Sequence, residues 1–296
     1  MRSWAPVVLC VLVGVVGAGQ GCVLAVSGDG LEGRYITGVP DMPQPPPNPL
    51  GFPSVDNWSG PLAAASAIAY LGTTVGGWPR GVSGNLSPAE VSAYLGYFMA
   101  TNGVGSPDRA NAVLGLPGTI VDDLVAGIRE FARWDPVHRF RTPPPAMLNK
   151  AGFDADVVLI AGFGLDSAQY RAGLSRGSPP LVVFRYWNPL DSGHALWVTG
   201  SGYRVRVQFY TWGPEIRSSK DSSVAGAGVP LEVWDPDRGV GHVAVGEGFL
   251  VGDPDGAGPL PSTLWLLLRD TWGATAEHVA IPWGEVVALV LVSRAR

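Results

Sequence analysis

Cysteine is nearly missing from this chain. Its two cysteines, Cys10 and Cys22, both fall among the first 22 residues. That region carries the export signal predicted below, so the mature chain is expected to have no free thiol and no internal disulfide. Thiol catalysis and thiolate metal sites are therefore excluded from the predicted mature chain.

Charged residues are also scarce. Only 15% of the residues are charged, the formal net charge is -5, and no basic block occurs. Nucleic-acid binding requires a basic surface, so this composition argues against nucleic acid as the main partner. No phosphate-binding loop, dinucleotide fingerprint or zinc motif is present, and no cofactor is predicted. Hydrophobic residues, at 46%, are ample for a folded core.

An uncharged apolar run from Trp4 to Ala18 follows Arg2. It is shorter than the ~20 apolar residues of a membrane span and is typical of a secretory signal. We predict a signal peptide over residues 1–25, cleaved near Ala25. Alternatively, Gly21-Cys22 resembles the end of a bacterial lipoprotein box. Both routes predict a secreted, periplasmic or lipid-anchored protein that meets the membrane only through this segment.

Proline and glycine divide the rest of the chain. Residues 26–53 include GVPDMPQPPPNPLGFP, and this proline density predicts a semi-rigid linker. A single domain is predicted over 54–296. Helices are predicted first: over 61–72, from Ser87, where Ser87 and Glu90 form a capping box, and over 121–134, where Leu124, Ile128 and Phe131 have helical spacing. Strands are predicted after Gly177, among them the apolar runs from Leu181, Leu264 and Val286. This order favours an α+β fold with an antiparallel sheet.

Two stretches of the C-terminal half are similar to each other. One reads YWNPLDSGHALWVTG from Tyr186, and the other reads VWDPDRGVGHVAVGEG from Val233. Each is followed by Thr-Trp-Gly further along the chain. They represent either two hairpins with similar turns or a duplicated sheet segment with one working site. An inserted or duplicated β segment is therefore predicted around 214–260.

The stretch DNWSGPLAAASAIAYLG, residues 56–72, places Ser59 at the opening of a buried small-residue helix. It resembles the nucleophile helix of papain-like cysteine peptidases, most closely the C39-like group, in which Cys-Gly-Pro opens this helix. GHALWVTGSGY, from Gly193, resembles the histidine strand of that group. RDTWG and FYTWG resemble the strand end that carries its third catalytic residue. The resemblance implies a papain-like fold, with an N-terminal helical half packed on a C-terminal antiparallel sheet half.

The resemblance also implies a set of catalytic or relict residues. Of the four histidines, His138 lies in a proline-rich loop and His278 on a predicted strand or surface turn. The oxyanion glutamine of the family is not found in LGFPSVDNW, so Asn57 is the candidate donor. The preferred set is Ser59, His194 and Asp270, and the alternatives are His242 and Tyr210.

Serine in place of cysteine is a severe departure from the family. A thiol in such a site ionises before attack, whereas a hydroxyl must lose its proton to an aligned base during attack. A serine before Gly-Pro at a helix start is also an ordinary N-cap. Both readings of Ser59 stay open, and so does the question whether the protein is an enzyme.

We therefore expect an exported pseudoenzyme that binds a peptide or partner protein in the inherited cleft. One alternative is an active serine-type hydrolase that acts on peptide bonds through Ser59, His194 and Asp270. Another is a carbohydrate- or surface-binding β module, suggested by Trp212, Trp234, Trp265, Trp272 and Trp283. No metal site is predicted, apart from weak calcium candidates in two Asp-Pro-Asp turns: Asp235, Asp237, Asp253 and Asp255.

Overall fold

The computed structural model describes residues 23–28, 31–74, 80–81, 84–133, 155–185, 195–200, 203–209, 241–252, 264–271 and 278–295. Within these ranges the fold is α+β, with helices concentrated in the N-terminal half and strands in the C-terminal half. The predicted fold class is confirmed. No helix in the same ranges combines the length and the apolar character that crossing a membrane requires.

The described helices are α1 (Ser59–Thr74), α2 (Pro88–Phe98), α3 (Ala110–Leu114), α4 (Val121–Arg133) and α5 (Ser167–Ser175). Every residue of α1 up to Leu71 is buried, as its small apolar residues predict. The capping box predicted at Ser87 is present: its hydroxyl accepts from the Glu90 amide, and the Glu90 carboxylate accepts from the Ser87 amide.

Twelve strands occur in the described ranges. They are β1 (Val23–Gly28), β2 (Leu31–Ile36), β3 (Arg80–Gly81), β4 (Gly84–Asn85), β5 (Ala155–Ala161), β6 (Leu181–Arg185), β7 (Ala195–Gly200), β8 (Tyr203–Phe209), β9 (Gly241–Gly252), β10 (Leu264–Arg269), β11 (His278–Pro282) and β12 (Val286–Arg294). Ten of them form one sheet in the order β10-β11-β8-β7-β1-β2-β9-β6-β12-β5. Neighbours in this sheet are antiparallel, except that β11 and β8 are parallel.

Strand β9 is the junction of the sheet. Its first half pairs with β6 and its second half with β2, while β10 pairs along it from Val245 to Val251. The β9–β10 pairing closes a ring of seven strands, from β10 through β11, β8, β7, β1 and β2 to β9. Helix α1 packs on β9 as well as on α2. Strand β9 therefore joins the helical half to the sheet half.

The segment after β2 corrects the linker prediction. Ile36, Val39, Met42 and Phe52 are buried in the same apolar core as α1. Their proline-rich surroundings form no strand ladder, so the missing proline N–H groups cost nothing there. Residues 31–53 therefore belong to the folded body. The predicted signal lies outside the described ranges up to residue 22, and its processing stays a prediction.

The predicted β segment around 214–260 is described only at residues 241–252. These residues are β9, which has partners in three other strands and is central to the sheet rather than inserted into it. Strands β7 and β8 are antiparallel neighbours, and so are β9 and β10. The two similar sequence stretches thus each contribute a strand to an antiparallel pair.

Candidate functional site

The start of α1 is positioned by Trp58. Its carbonyl oxygen accepts the Leu62 amide at 3.1 Å, so Trp58 holds the cap position and Ser59 is the first helical residue. Its buried indole lies against Gly96, where a Cβ atom would come within 2.0 Å of the ring. The indole also donates to the Ser92 hydroxyl at 3.1 Å. A buried anchor one residue earlier therefore sets the position of Ser59.

Ser59 is buried, with 6% of its surface exposed. Its hydroxyl makes no hydrogen bond with any residue that the structure describes. A serine that caps a helix accepts a hydrogen bond from an amide two or three residues further on. Ser59 stands one residue too late for this role, so it does not cap α1.

Two amides at the start of α1 have no acceptor among the residues that the structure describes. The first amides of a helix have no partner within the helix. The Trp58 amide donates to Gln44 Oε1 at 2.9 Å, and Pro61 has no N–H. The Ser59 and Gly60 amides donate to no described residue. At the positive end of the helix dipole, this pair can receive a carbonyl oxygen or a carboxylate.

Gln44 connects the start of α1 to the end of β10. Besides accepting from the Trp58 amide, its side chain donates from Nε2 to Thr271 Oγ1 at 3.2 Å. Its main-chain amide donates to the Thr271 carbonyl oxygen at 2.7 Å. This residue was missed because it falls in the predicted linker. One feature of the sequence could have pointed to Gln44, because it is the first glutamine upstream of Ser59.

His242 and Asp270 meet at the end of the β9–β10 pair. His242 is wholly buried, and its Nε2 lies 2.5 Å from the main-chain oxygen of Asp270. A carbonyl oxygen only accepts, so Nε2 carries the proton and Nδ1 is the acceptor of the neutral ring. The Phe184 ring packs edge-on against the imidazole, 5.4 Å between centroids. The structure thus brings His242, the alternative to His194, to Asp270.

Two residues beside the site have left-handed backbone conformations. Asn57 has φ 56° and Thr271 has φ 68°. Asparagine tolerates this region, whereas a β-branched threonine is strained there and is held by its contacts with Gln44. Asn57, the predicted oxyanion donor, is half-buried, and its Cβ faces Gly118.

Several candidate residues lie outside the described ranges: His138, His194, Tyr210, Trp212, Trp234, Asp235, Asp237, Asp253, Asp255 and Trp272. Trp265 is buried and donates from its indole to the Gly252 carbonyl oxygen, so it holds the sheet together rather than presenting a binding surface. Within the described ranges, no group of three or more His, Cys, Asp or Glu side chains is placed to hold a metal ion.

A second group of buried polar side chains, the Glu247 cluster, consists of Glu247, Arg269 and His278. Glu247 is the extra residue of a β-bulge in the β9–β10 pair. Its carboxylate accepts from Arg269 Nε at 2.8 Å and contacts His278 Nδ1. His278 is therefore a buried partner of Glu247 rather than a surface residue.

Tyr170 of α5 packs on the same bulge. Its hydroxyl donates to the Gly248 carbonyl oxygen at 2.7 Å, and its ring occupies the space where a Cβ of Gly246 would lie. Burial, reinforced by the negative charge of Glu247, raises the pKa of Tyr170 well above its ordinary value of 10.0. The Glu247 cluster is thus enclosed from the α5 side.

Comparisons with known proteins do not assign this chain to a family. No family model, curated protein or solved structure matches it. The resemblance to papain-like peptidases therefore remains a prediction, and the contacts around Ser59, His242 and Asp270 are the basis for a functional proposal.

Proposed function

We propose that this protein binds a peptide at the start of α1, in a papain-like cleft, without cleaving it. The hydrogen bonds of Gln44 are the observation that supports this proposal. Gln44 links Trp58, the residue before Ser59, to Thr271, the residue after Asp270. The carbonyl oxygen of Asp270 in turn contacts His242. The three linked elements correspond to those that the C39-like resemblance implies, with His242 in the place expected for His194.

The start of α1 supplies the binding chemistry. A peptide main chain carries one carbonyl acceptor per residue. The Ser59 and Gly60 amides, which have no acceptor in the described part of the chain, can donate to such an oxygen, and the helix dipole strengthens these hydrogen bonds. Because Gln44 accepts from the preceding amide, of Trp58, the direction of these two adjacent donors is fixed by the helix start.

The state of Ser59 supports binding rather than cleavage. A serine nucleophile transfers its proton to an aligned base during attack. The Ser59 hydroxyl has no hydrogen bond to any imidazole in the described part of the chain. The His242 ring directs Nε2 to the main-chain carbonyl oxygen of Asp270.

The substitution Ser59→Cys tests whether the site is assembled. We expect a thiolate there to be stabilised by the helix dipole and by the His242 imidazolium that the papain-like arrangement implies, so its pKa should lie well below the ~8.5 of a free cysteine. The measurement is the pH profile of iodoacetamide alkylation, read at that peptide by mass spectrometry. The matched control is Ser87→Cys, at the start of α2, where no imidazole is described.

The expected midpoint for Ser59→Cys lies at least about one pH unit below that of Ser87→Cys, and His242→Ala added to Ser59→Cys raises it. Equal midpoints in the two single variants, or no response to His242→Ala, would refute the assembled site.

One observation favours the second candidate, a serine-type hydrolase acting through Ser59, His242 and Asp270. The Asp270 carbonyl oxygen holds the proton of His242 on Nε2, so Nδ1 is the basic nitrogen of the neutral ring. A fluorophosphonate probe separates the two candidates. We expect no labelling of the wild-type protein, and labelling that is lost in both Ser59→Ala and His242→Ala would replace binding with hydrolysis.

A further inference from the structure

We infer that the peptide docks through an aliphatic side chain, flanked by a basic residue, on an exposed apolar surface beside the start of α1. This surface, the 104–116 patch, consists of Val104, Val113, Leu114 and Leu116. The inference rests on the proposed function and specifies the chemistry of its ligand.

The patch is an unusual concentration of exposed aliphatic side chains. Val113 and Leu114 on α3 are 84% and 59% exposed, and Val104 and Leu116 on either side are 38% and 40% exposed. Single exposed apolar residues are ordinary on protein surfaces, whereas a contiguous group marks an interaction site. These four residues lie within thirteen positions of the sequence.

Polar contacts beneath the patch hold it in this exposed arrangement. The Asn111 side-chain amide lies within 3.1 Å of the carbonyl oxygens of Ala100, Leu116 and Gly118, and its oxygen accepts the Leu116 amide. The Asp123 carboxylate accepts the amides at the start of α3. The aliphatic side chains are therefore presented by a fixed backbone, which lowers the entropic cost of binding.

The same segment adjoins the candidate site. The Thr101 and Thr119 hydroxyls are hydrogen-bonded at 2.7 Å, and Thr119 Oγ1 would lie 3.1 Å from a Cβ at Gly60. Asn102 donates to the Asp56 carbonyl oxygen at 2.7 Å, three residues before Ser59. A peptide whose carbonyl oxygen reaches the Ser59 and Gly60 amides therefore continues toward the patch.

The charges around the patch select a basic ligand. Asp108 and Asp122 flank α3 in the sequence, the Asp56 carbonyl oxygen accepts from Asn102 beside Val104, and all three aspartates are exposed. The basic residue of the stretch 101–122 is Arg109, and it is already engaged: its Nε donates to the Phe98 carbonyl oxygen and its guanidinium pairs with Glu130. Lysine or arginine beside the aliphatic residue would complement this acidic border.

The test uses the full chain and two fluorescein-labelled peptides, Gly-Lys-Leu-Val-Lys-Gly and Gly-Glu-Leu-Val-Glu-Gly, with binding followed by fluorescence anisotropy. We expect the lysine peptide to bind at least about tenfold tighter than the glutamate peptide. The patch variant, Val113→Ser with Leu114→Ser, should weaken the lysine peptide about tenfold or more. Asp108→Asn with Asp122→Asn should weaken the lysine peptide alone.

The matched control is Val158→Ser with Phe163→Ser, on β5 and the turn that follows it, where both side chains are also exposed. It should bind the lysine peptide within about twofold of wild type. Equal binding by the patch variant and this control overturns the inference, as does binding of neither peptide. In either case the alkylation profile of Ser59→Cys still decides the proposed function separately. Loss of peptide binding in the patch variant with that profile unchanged supports both.

Discussion

Strands β9 and β10 carry two buried polar sites of opposite character. In the Glu247 cluster, the carboxylate has a partner on each oxygen, Arg269 on one and His278 on the other. Five positions away on β9, His242 contacts the Asp270 carbonyl oxygen. Gln44 links the next residue, Thr271, to a helix start where the Ser59 hydroxyl and two amides have no described partner. A buried charge that has all its partners stabilises a fold as long as the partners stay together. A buried donor without a described partner instead indicates a place where a ligand can bind.

The largest effect is expected where the charges are saturated. Glu247→Gln removes the buried negative charge that faces both the Arg269 guanidinium and His278, which should lower the free energy of unfolding by about 3 to 5 kcal/mol. Urea denaturation measures this loss. The control is Glu130→Gln, whose partner Arg109 is more exposed, and burial already raises the pKa of Glu130 despite the Arg109 charge.

Glu130→Gln should therefore cost only about 1 kcal/mol. A loss at Glu247 no larger than the loss at Glu130 would show that the Glu247 cluster does not stabilise the fold, and the contrast with the Ser59 site would disappear.

A smaller effect with a distinct pH signature is expected at Tyr170. Tyr170→Phe removes the hydrogen bond to the Gly248 carbonyl oxygen and should cost about 1 to 2 kcal/mol at pH 7. Because burial raises the pKa of Tyr170 in the folded protein, the unfolded chain releases this proton near pH 10 while the folded chain retains it. The contribution of the Tyr170 proton to the free energy of unfolding is therefore fully present below about pH 10, and it is lost as the pH rises above that value.

Urea denaturation between pH 7 and pH 11 measures this slope, which Tyr170→Phe should flatten. Tyr94→Phe is the control: its pKa is raised by partial burial and by Glu90, and the slope should change less. An unchanged alkaline slope in Tyr170→Phe would mean that Glu247 and burial do not act on this hydroxyl.

The smallest effect is expected at the unsaturated site. Ser59 makes no hydrogen bond with a described residue, so Ser59→Ala should change the free energy of unfolding by less than about 0.5 kcal/mol. Ser87→Ala, which removes the capping box of α2, should cost about 1 kcal/mol in the same urea denaturation experiment. If the two variants lost comparable free energy of unfolding, Ser59 would be a capping residue of α1, and this result would argue against a binding site there.

Local patterns predicted three of the five described helices and several of the described strands. The small apolar residues of 61–72, the capping box at Ser87 and the spacing of Leu124, Ile128 and Phe131 correspond to α1, α2 and α4. The strands from Leu181, Leu264 and Val286 also occur where their apolar runs predict them. These signals depend on residues within one or two turns of each other, and a sequence displays such neighbours directly.

Contacts between distant residues were not predictable in the same way. Gln44 and Thr271 are separated by 227 positions, and the proline content around Gln44 indicated a linker. Nothing local distinguishes His242, which contacts Asp270, from His194 on a similar stretch. No local pattern singled out Glu247, and His278 was predicted on a strand or surface turn. The structure places His278 on strand β11 and, through the bulge in β9, against Glu247 inside the protein.

Short-range patterns were enough to predict α1, α2 and α4, the α+β class and the position of Ser59 at the start of a buried helix, because each follows from local periodicity and capping. The folded structure was needed to show that Gln44 links that helix start to Thr271, that His242 contacts the neighbouring Asp270, and that the segment bearing the 104–116 patch contacts the residues around Ser59. The physical reason is that strand pairing and long-range hydrogen bonds depend on which segments meet in space, and no local pattern specifies that.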